Sequence, residues 1–469
     1  MFMRGAFILL AAVSLSACTL GPNYKRPAVE LPSNHRGAVQ AQPTPESLAD
    51  LQWFELFHDD QLTQLVTAAL NSNFELRIAA ERVLQARAAY GITRSNQFPS
   101  VDASVSGNSV RSSQRGANPG IPAGADTGVS YVEAGFSVGW EIDVWGRLRR
   151  LNEAARARYL ATEEARHGVV TTLVADVTET YLALRGLDLE LDIAKRTRET
   201  ANESLRLIGV RKAGGIASGL DVRQAEQLLF SATAEIAGLE REIAQTENAL
   251  SLLMGRMPGD ITRGQPLEGF QASPLVPAGL PSDLLERRPD IRQAEQEVIA
   301  ANAQIGAAKA EYFPRIALTG FFGAQSRALT SLLSGPAGVF SAALGASAPI
   351  FNAGRTRSNV ELTEAIQREA VVTYQRAIYT AFRDVADSLA ACTKTREQRE
   401  EQQRLVDTLG DSARLALERY QTGLDSYLPV LDAQRNLFEG ELGLARLRQQ
   451  ELASIVRLYR ALGGGWSSV

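Results

Sequence analysis

Residues 132–144 read VEAGFSVGWEIDV and alternate throughout. Val132, Ala134, Phe136, Val138, Trp140, Ile142 and Val144 share one face, and Glu133, Gly135, Ser137, Gly139, Glu141 and Asp143 share the other. Successive strand residues point to opposite faces, so the stretch is a strand with one apolar and one polar side. Similar alternation places strands at about 99–110 (Val101, Ala103 and Val105 against Asp102, Ser104 and Ser106), 130–144, 314–325 (Ile316, Leu318, Phe322) and 338–351 (Phe340, Ala342, Leu344, Ala346, Ile350). One-sided strands of about ten residues suit a membrane β-barrel, lipid outside and water inside. A soluble half-buried sheet has the same period, so periodicity alone leaves both open. Four strands cannot close a barrel, and lipid does not tolerate an open edge. Strands that span a membrane here therefore require two, three or four copies of the chain, and the sequence does not choose among them.

The N-terminus favours the membrane. Residues 1–18 read MFMRGAFILLAAVSLSAC, with a positive Arg4, an apolar run from Phe7 to Leu15, and small residues after it. This is a secretory signal, too short to span a bilayer. Its ending, Leu15-Ser16-Ala17-Cys18, looks like a bacterial lipobox, which makes 1–17 a signal peptide and Cys18 the lipidated first residue. Thr19 is not Asp, which favours the outer membrane over inner-membrane retention. No later apolar run is long enough for a transmembrane helix.

Composition narrows the chemistry. The 469 residues are 45% apolar and 22% charged with a formal net charge of −4. That excludes wholesale disorder and leaves no basic stripe for nucleic acid. With Cys18 lipidated, Cys392 is the one remaining thiol, in an apolar helical run, and reads as a small buried side chain. His35, His58 and His167 are the three histidines; none shows nucleophile or metal-ligand spacing, and His58 beside Asp59 and Asp60 reads as a helix start. No catalytic residue and no metal site is expected.

The chain also repeats itself. At an offset of 208, Gly146-Arg147 falls on Gly354-Arg355, Asp176-Val177 on Asp384-Val385, Arg211 on Arg419, Gly215 on Gly423, Ser218 on Ser426, Leu229-Phe230 on Leu437-Phe438 and Gly255 on Gly463. Before the first Gly-Arg the offset is 215, matching Phe98-Pro99 with Phe313-Pro314. Such a run of ordered matches argues duplication. Each half predicts a helix (about 60–97 and 289–312), two strands, a very long helix, a break and a second helix. The long helices, 146–212 and 355–421, are each 67 residues, about 100 Å at 1.5 Å per residue, and contain no proline. Their loose 3–4 apolar spacing fits side-by-side helices better than a two-stranded coiled coil. Gly215 and Gly423 stop them, and Ser218 and Ser426 are expected to cap the helices that follow, with Asp221 completing a capping box. The stretch KAGGIASG at 212–219 lacks a phosphate loop's G-K-[ST] ending and follows a helix, not a strand.

The segments LSAC, GPNYKRP (21–27), WEIDVWGRLRR (140–150), LLERRPDI (284–291), YFPRIALTGFFG (312–323), PIFNAGRTR (349–357), YLPVLDAQRNLF (427–438) and LYRALGGGW (458–466) cover nearly the whole mature chain. Together they resemble the outer-membrane factors of Gram-negative tripartite efflux pumps, the TolC-like family, in its OprM-type and NodT-type lipoprotein branch. The resemblance implies an α+β membrane protein: a homotrimer with a 12-stranded outer-membrane β-barrel, four strands per chain, continuous with a long periplasmic α-helical barrel. It implies a signal peptide at 1–17, an anchored strap at 18–60, a first repeat at 61–255, an equatorial inter-repeat segment at 256–283, a second repeat at 284–463 and a tail at 464–469. It implies no cofactor beyond diacylglycerol and N-acyl lipid on Cys18. The implied partners are a periplasmic adaptor (membrane fusion protein), an RND-type inner-membrane transporter and outer-membrane lipid.

In such a family the gate lies at the periplasmic hairpin tips. The matching positions are Asp425, Asp432, Tyr420, Leu424 and Asp221, with Tyr427 as a further apolar constriction. Asp425 and Asp221 also suit helix N-termini on electrostatic grounds alone. Some members carry arginine at the Asp425 position and bridge to the Asp221 position; two acids cannot do so, which turns attention to Arg211 and Arg419. Gly215, Ser218, Gly423 and Ser426 mark tips expected to dock an adaptor. The implied function is an exit duct for small toxic compounds such as antibiotics. A duct for secreted protein or metal ions is the alternative, and a lipid-anchored periplasmic coiled-coil scaffold is an alternative of another class.

Overall fold

The structure, a computed structural model, describes residues 19–37, 47–52, 55, 57–113, 127–270 and 279–465. The signal and Cys18 lie outside the described residues. The chain divides into two compact units, one of residues 1–27, 84–161 and 294–374, the other of 28–83, 162–293 and 375–469. Neither unit is a repeat: each takes segments from both halves of the duplication.

The first unit carries the sheet. Strands β1 (Ser100–Arg111), β2 (Gly128–Ile142), β3 (Arg315–Ser326) and β4 (Gly338–Ser347) are antiparallel in the order β1-β2-β3-β4. Two hairpins, one from each repeat, thus lie side by side. The alternation sets the register: Phe136 pairs with Phe322, and Phe322 with Phe340. These rings, with Val101, Val105, Leu318 and Leu344, form an exposed apolar face. A one-residue slip would turn a whole set of side chains over, so the register is tightly specified. On the other face the directly paired Gly135 and Gly323 leave room for the Phe321 ring; a Cβ at either would collide with it. The expected strand to residue 351 stops at Ser347 because β4 is a sheet edge and Pro349 lacks an amide donor.

The motif WEIDVWGR turns the sheet into helix α3 (Arg147–Ala213), counting α1 as Asp60–Ser72 and α2 as Phe74–Ser95. Asp143 accepts from the Leu148 and Arg149 amides at 3.1 and 2.8 Å, and Glu141 pairs with Arg147 through two bonds of 2.9 and 2.7 Å. Carboxylates at a helix N-terminus satisfy its orphan amides. The N-terminal segment docks here. The buried Arg150 donates to the Leu20 carbonyl at 3.1 Å and to Asn23 Oδ1 at 2.8 Å. Farther along, Arg26 and Tyr24 both bond Glu295. Thr19 packs on Gly146, where a Cβ would strike it.

The second unit holds the main core, with Tyr181, Leu182, Leu184, Leu250 and Leu458 at its centre. The single helix expected at 60–97 is broken at Asn73, which leaves helical backbone at ψ 135°. Its side chain supplies the reason: the amide donates to the Leu253 carbonyl at 2.8 Å, and Oδ1 caps the Leu76 amide at 3.0 Å. Asp59 caps α1 through the Leu62 amide at 2.6 Å, as the His58-Asp59-Asp60 cluster suggested, and also accepts from the Gln265 amide at 2.9 Å. Tyr181 accepts from the Gly264 amide at 2.8 Å, and Arg263 pairs with Asp188 and Glu247. Residues 256–270 are thereby laced to α1 and α3. The remaining helices are α4 (Gly219–Leu253), α5 (Leu284–Arg287), α6 (Pro289–Ala310), α7 (Arg355–Gln421) and α8 (Leu428–Ala461). Both long helices, α3 and α7, have 67 residues. No helix among the described residues is long and apolar enough to cross a membrane.

Candidate functional site at the hairpin tips

All the tip residues belong to the second unit. α3 and α7 end by the same device. After α3, Ile216 donates to the Arg211 carbonyl at 2.9 Å and Gly215 to the Lys212 carbonyl at 3.0 Å; after α7, Leu424 donates to Arg419 at 2.9 Å and Gly423 to Tyr420 at 3.1 Å. Gly215 and Gly423 sit at φ 76° and 80°, a left-handed turn open to glycine at little cost. These Schellman turns confirm the expected stops. The starts of the next helices differ. Ser218 and Asp221 form the expected capping box on α4. Ser426 does not cap α8: the N-cap is Tyr427, with no side-chain bond, and Pro429 removes one donor that a cap would have served.

The two tips meet in one apolar cluster of Ala201, Ile208, Ala225, Leu228, Tyr420, Tyr427, Val430 and Leu431. Tyr427 is 1% exposed, so it is core and not a pore constriction. Tyr420, 6% exposed, meets Tyr427 edge to face at 5.3 Å. Burial raises the pKa of both phenols. Arg211 lies over the Tyr420 ring at 4.5 Å and donates to the Tyr420 carbonyl at 3.1 Å, tying one tip to the other.

Arg419, the repeat equivalent of Arg211, behaves differently. It folds back on Asp425 of its own tip at 2.5 Å. The hydrogen bond from Arg419 holds the Asp425 carboxyl below its ordinary range. The difference has a local cause: position 217, the equivalent of Asp425, is alanine, so Arg211 has no acid in its own turn. Asp432 is exposed and pairs with Arg435 on α8 at 3.1 Å. Asp221 is engaged in its capping box, and Leu424 is 69% exposed. Of the sequence-named residues, then, Tyr420 joins the inter-tip cluster, while Asp425, Asp432 and Asp221 each serve their own tip. The Arg211–Tyr420 link was not foreseen; the Ala217–Asp425 mismatch between the repeats was its available signal.

Elsewhere, His35 is buried against Phe382 at 5.7 Å with neither ring nitrogen bonded, and desolvation lowers its pKa. Cys392 is buried and receives a bond from Ser454 at 3.2 Å; burial pushes its thiol pKa up. Among the described residues no group of three or more His, Cys, Asp or Glu is placed to hold a metal ion.

A sheet with one exposed apolar face, together with very long helices that meet at two tips, defines a subunit of a TolC-like outer-membrane channel, a trimeric barrel with a helical periplasmic part. The chain belongs to the outer membrane efflux protein family, whose model matches residues 65–256 and 280–464. It is 41% identical to the solvent efflux pump outer membrane protein SrpC of Pseudomonas putida, over 98% of each chain. It is 37% identical to outer membrane protein OprJ of Pseudomonas aeruginosa, over 98% of this chain and 96% of that one. The open state of the MtrE outer membrane channel of Neisseria gonorrhoeae superposes with a TM-score of 0.85 at 32% identity, covering 96% of this chain and 99% of that one. The protein is thus an outer-membrane efflux channel that extends into the periplasm.

Proposed function

We propose that this chain, as a homotrimer, is the passive exit duct for small toxic compounds, solvents and antibiotics among them. A periplasmic adaptor and an RND-type inner-membrane transporter would deliver the cargo. The observation that carries the reading is the open four-stranded sheet. Its two edges and exposed apolar face need further copies and lipid before their backbone and side chains are satisfied. No catalytic step is part of this reading, because conduction needs a polar lumen, a gate and docking surfaces. The relatives named for solvent efflux support the cargo class. Lipid on Cys18 would hold the duct beside the strand–helix junction, where Thr19 packs.

The tips are the closing element in this reading, with Tyr420 and Arg211 linking the hairpins and Asp425, Asp432, Leu424 and Asp221 facing the constriction. Gly215, Ser218, Gly423 and Ser426 present the turns that an adaptor hairpin would meet. The test is a deletion strain scored against antibiotics, dyes, metals and solvents, with the purified oligomer examined in planar bilayers. Restored solvent and drug tolerance on re-expression, together with a conducting pore, is expected. A non-conducting soluble protein would overturn the reading in favour of a scaffold, and a phenotype confined to metals or to a secreted protein would overturn the cargo class.

A further inference from the structure

Every helix that adjoins the sheet in sequence joins it at the same end. α2 stops at Ser95 before β1, α3 starts at Arg147 after β2, α6 stops at Ala310 before β3, and α7 starts at Arg355 after β4. The helical part is periplasmic, so the far end of the sheet, with the β1–β2 and β3–β4 connections, faces out of the cell. Residues 327–337 form the second of these connections. They are tied to one another. The Ser326 and Ser331 hydroxyls bond at 2.6 Å, Ser331 Oγ donates to the Ala328 carbonyl at 3.0 Å, and Ser334 Oγ donates to the Ser331 carbonyl at 2.6 Å. Leu332 and Ala337 are buried, whereas Leu329 and Leu333 stand 71% and 96% exposed. Single exposed leucines are ordinary, but two displayed by one fixed turn beside an apolar sheet face call for a covering surface.

The strands beneath change character toward the same end. On the apolar face of β1, Val101, Ala103 and Val105 give way to Gly107, Ser109 and Arg111. On β2 the same face runs outward from Trp140 to Val132, then to Ser130 and Gly128. The register sets Ser109 against Ser130, hydroxyls 2.9 Å apart, and Arg111 against Gly128. Alternation thus puts Arg111 on the lipid side, just outside the apolar band. Arg327 opens the β3–β4 turn. Both arginines are exposed, and the described residues 105–113, 127–132 and 326–340 contain no Asp or Glu. The outer rim is therefore cationic above an apolar band.

We propose that this rim seats lipid A of the outer leaflet, with Arg111 and Arg327 on its phosphates and Leu329 and Leu333 entering its acyl layer. Guanidinium forks match phosphate oxygens in pairs, and the leucines continue the apolar surface that Phe136, Phe322 and Phe340 present below. The two arginines stand on β1 and just beyond β3, two strand spacings or roughly 10 Å apart across the sheet. That separation suits a headgroup with a phosphate at each end better than a phospholipid with one. The seat rests on the outer-membrane placement of the sheet and is independent of the cargo.

The test uses the full-length protein in phosphatidylcholine vesicles containing either lipid A or phosphatidylglycerol. Leu333→Cys carries a nitrobenzoxadiazole dye, since Cys392 is buried and Cys18 is lipidated in the reading above. Quenching by spin-labelled lipid and shielding from iodide are expected. Iodide quenching without lipid quenching would place the turn in water or over the pore mouth and overturn the seat. Arg111→Gln with Arg327→Gln should weaken retention of lipid A roughly tenfold or more, while the paired Lys variants keep most of it. Undiminished retention in the Gln pair, or equal retention of phosphatidylglycerol by the unaltered protein, overturns lipid A as the occupant. Single-channel conductance reads the duct separately: a conducting pore whose dye stays in water loses the seat and keeps the exit-duct reading.

Discussion

Replacing Arg211 by alanine is expected to loosen the closed tips by about 2 kcal/mol. The side chain makes two contacts with the other hairpin, one to the Tyr420 ring and one to its carbonyl. A cation over an aromatic ring at a partly exposed site contributes about 0.5–1 kcal/mol. A hydrogen bond from a charged donor contributes about 1.5–3 kcal/mol, and solvent exposure removes part of that. A loss of about 2 kcal/mol shifts an open-to-closed ratio roughly 30-fold, at about 1.4 kcal/mol per tenfold. Open probability of the purified oligomer in planar bilayers reads this directly, and cells should admit antibiotics that the outer membrane otherwise excludes. Arg211→Lys keeps the charge but loses the planar fork, and should fall between the two. Arg419→Ala breaks a bond within one tip, so its effect should be smaller. Unchanged open probability in Arg211→Ala, or a larger effect from Arg419→Ala, would refute the reasoning.

Gly215→Ala and Gly423→Ala should each cost about 1 kcal/mol from the left-handed backbone alone, since a Cβ at either meets nothing within 4 Å. Faster amide exchange confined to the tips would register it. Asp59→Ala removes the acceptor for both the Leu62 and Gln265 amides, and should lower stability by about 2 kcal/mol, combining a lost cap with an orphaned half-buried donor. Denaturant midpoints and quicker proteolysis at 256–270 are the readouts. His35 carries a folded pKa below its unfolded value of 6.5, so the unfolded chain binds the proton first as pH falls. Stability should therefore decline as pH drops below about 6.5, levelling off below the folded pKa, and His35→Phe should flatten that slope in thermal melts from about pH 7 to pH 5.

Much of the fold was legible because its causes are local. Alternation placed four strands, and the absence of proline together with a glycine after each long helix placed two rods of 67 residues. The repeat offset foretold that both rods end in the same turn. The break at Asn73 was not legible, because one of its partners is the Leu253 carbonyl, far along the chain. Ser426 looked like Ser218 and yet caps nothing, since Pro429 changed the donors that needed capping. Tyr427 read as an exposed constriction and proved to be core, a matter of which helices converge on it.

By itself the sequence determined the strand faces, the duplication, the helix lengths and their stops. Those follow from sterics and periodicity over a few residues, which neighbours in the chain settle. Tertiary structure alone decided that β2 pairs with β3, that each compact unit draws on both repeats, and that Arg211 reaches Tyr420 while its twin Arg419 turns home to Asp425. Those choices compare contacts between residues far apart in the chain, and such contacts exist only once the chain has brought them together.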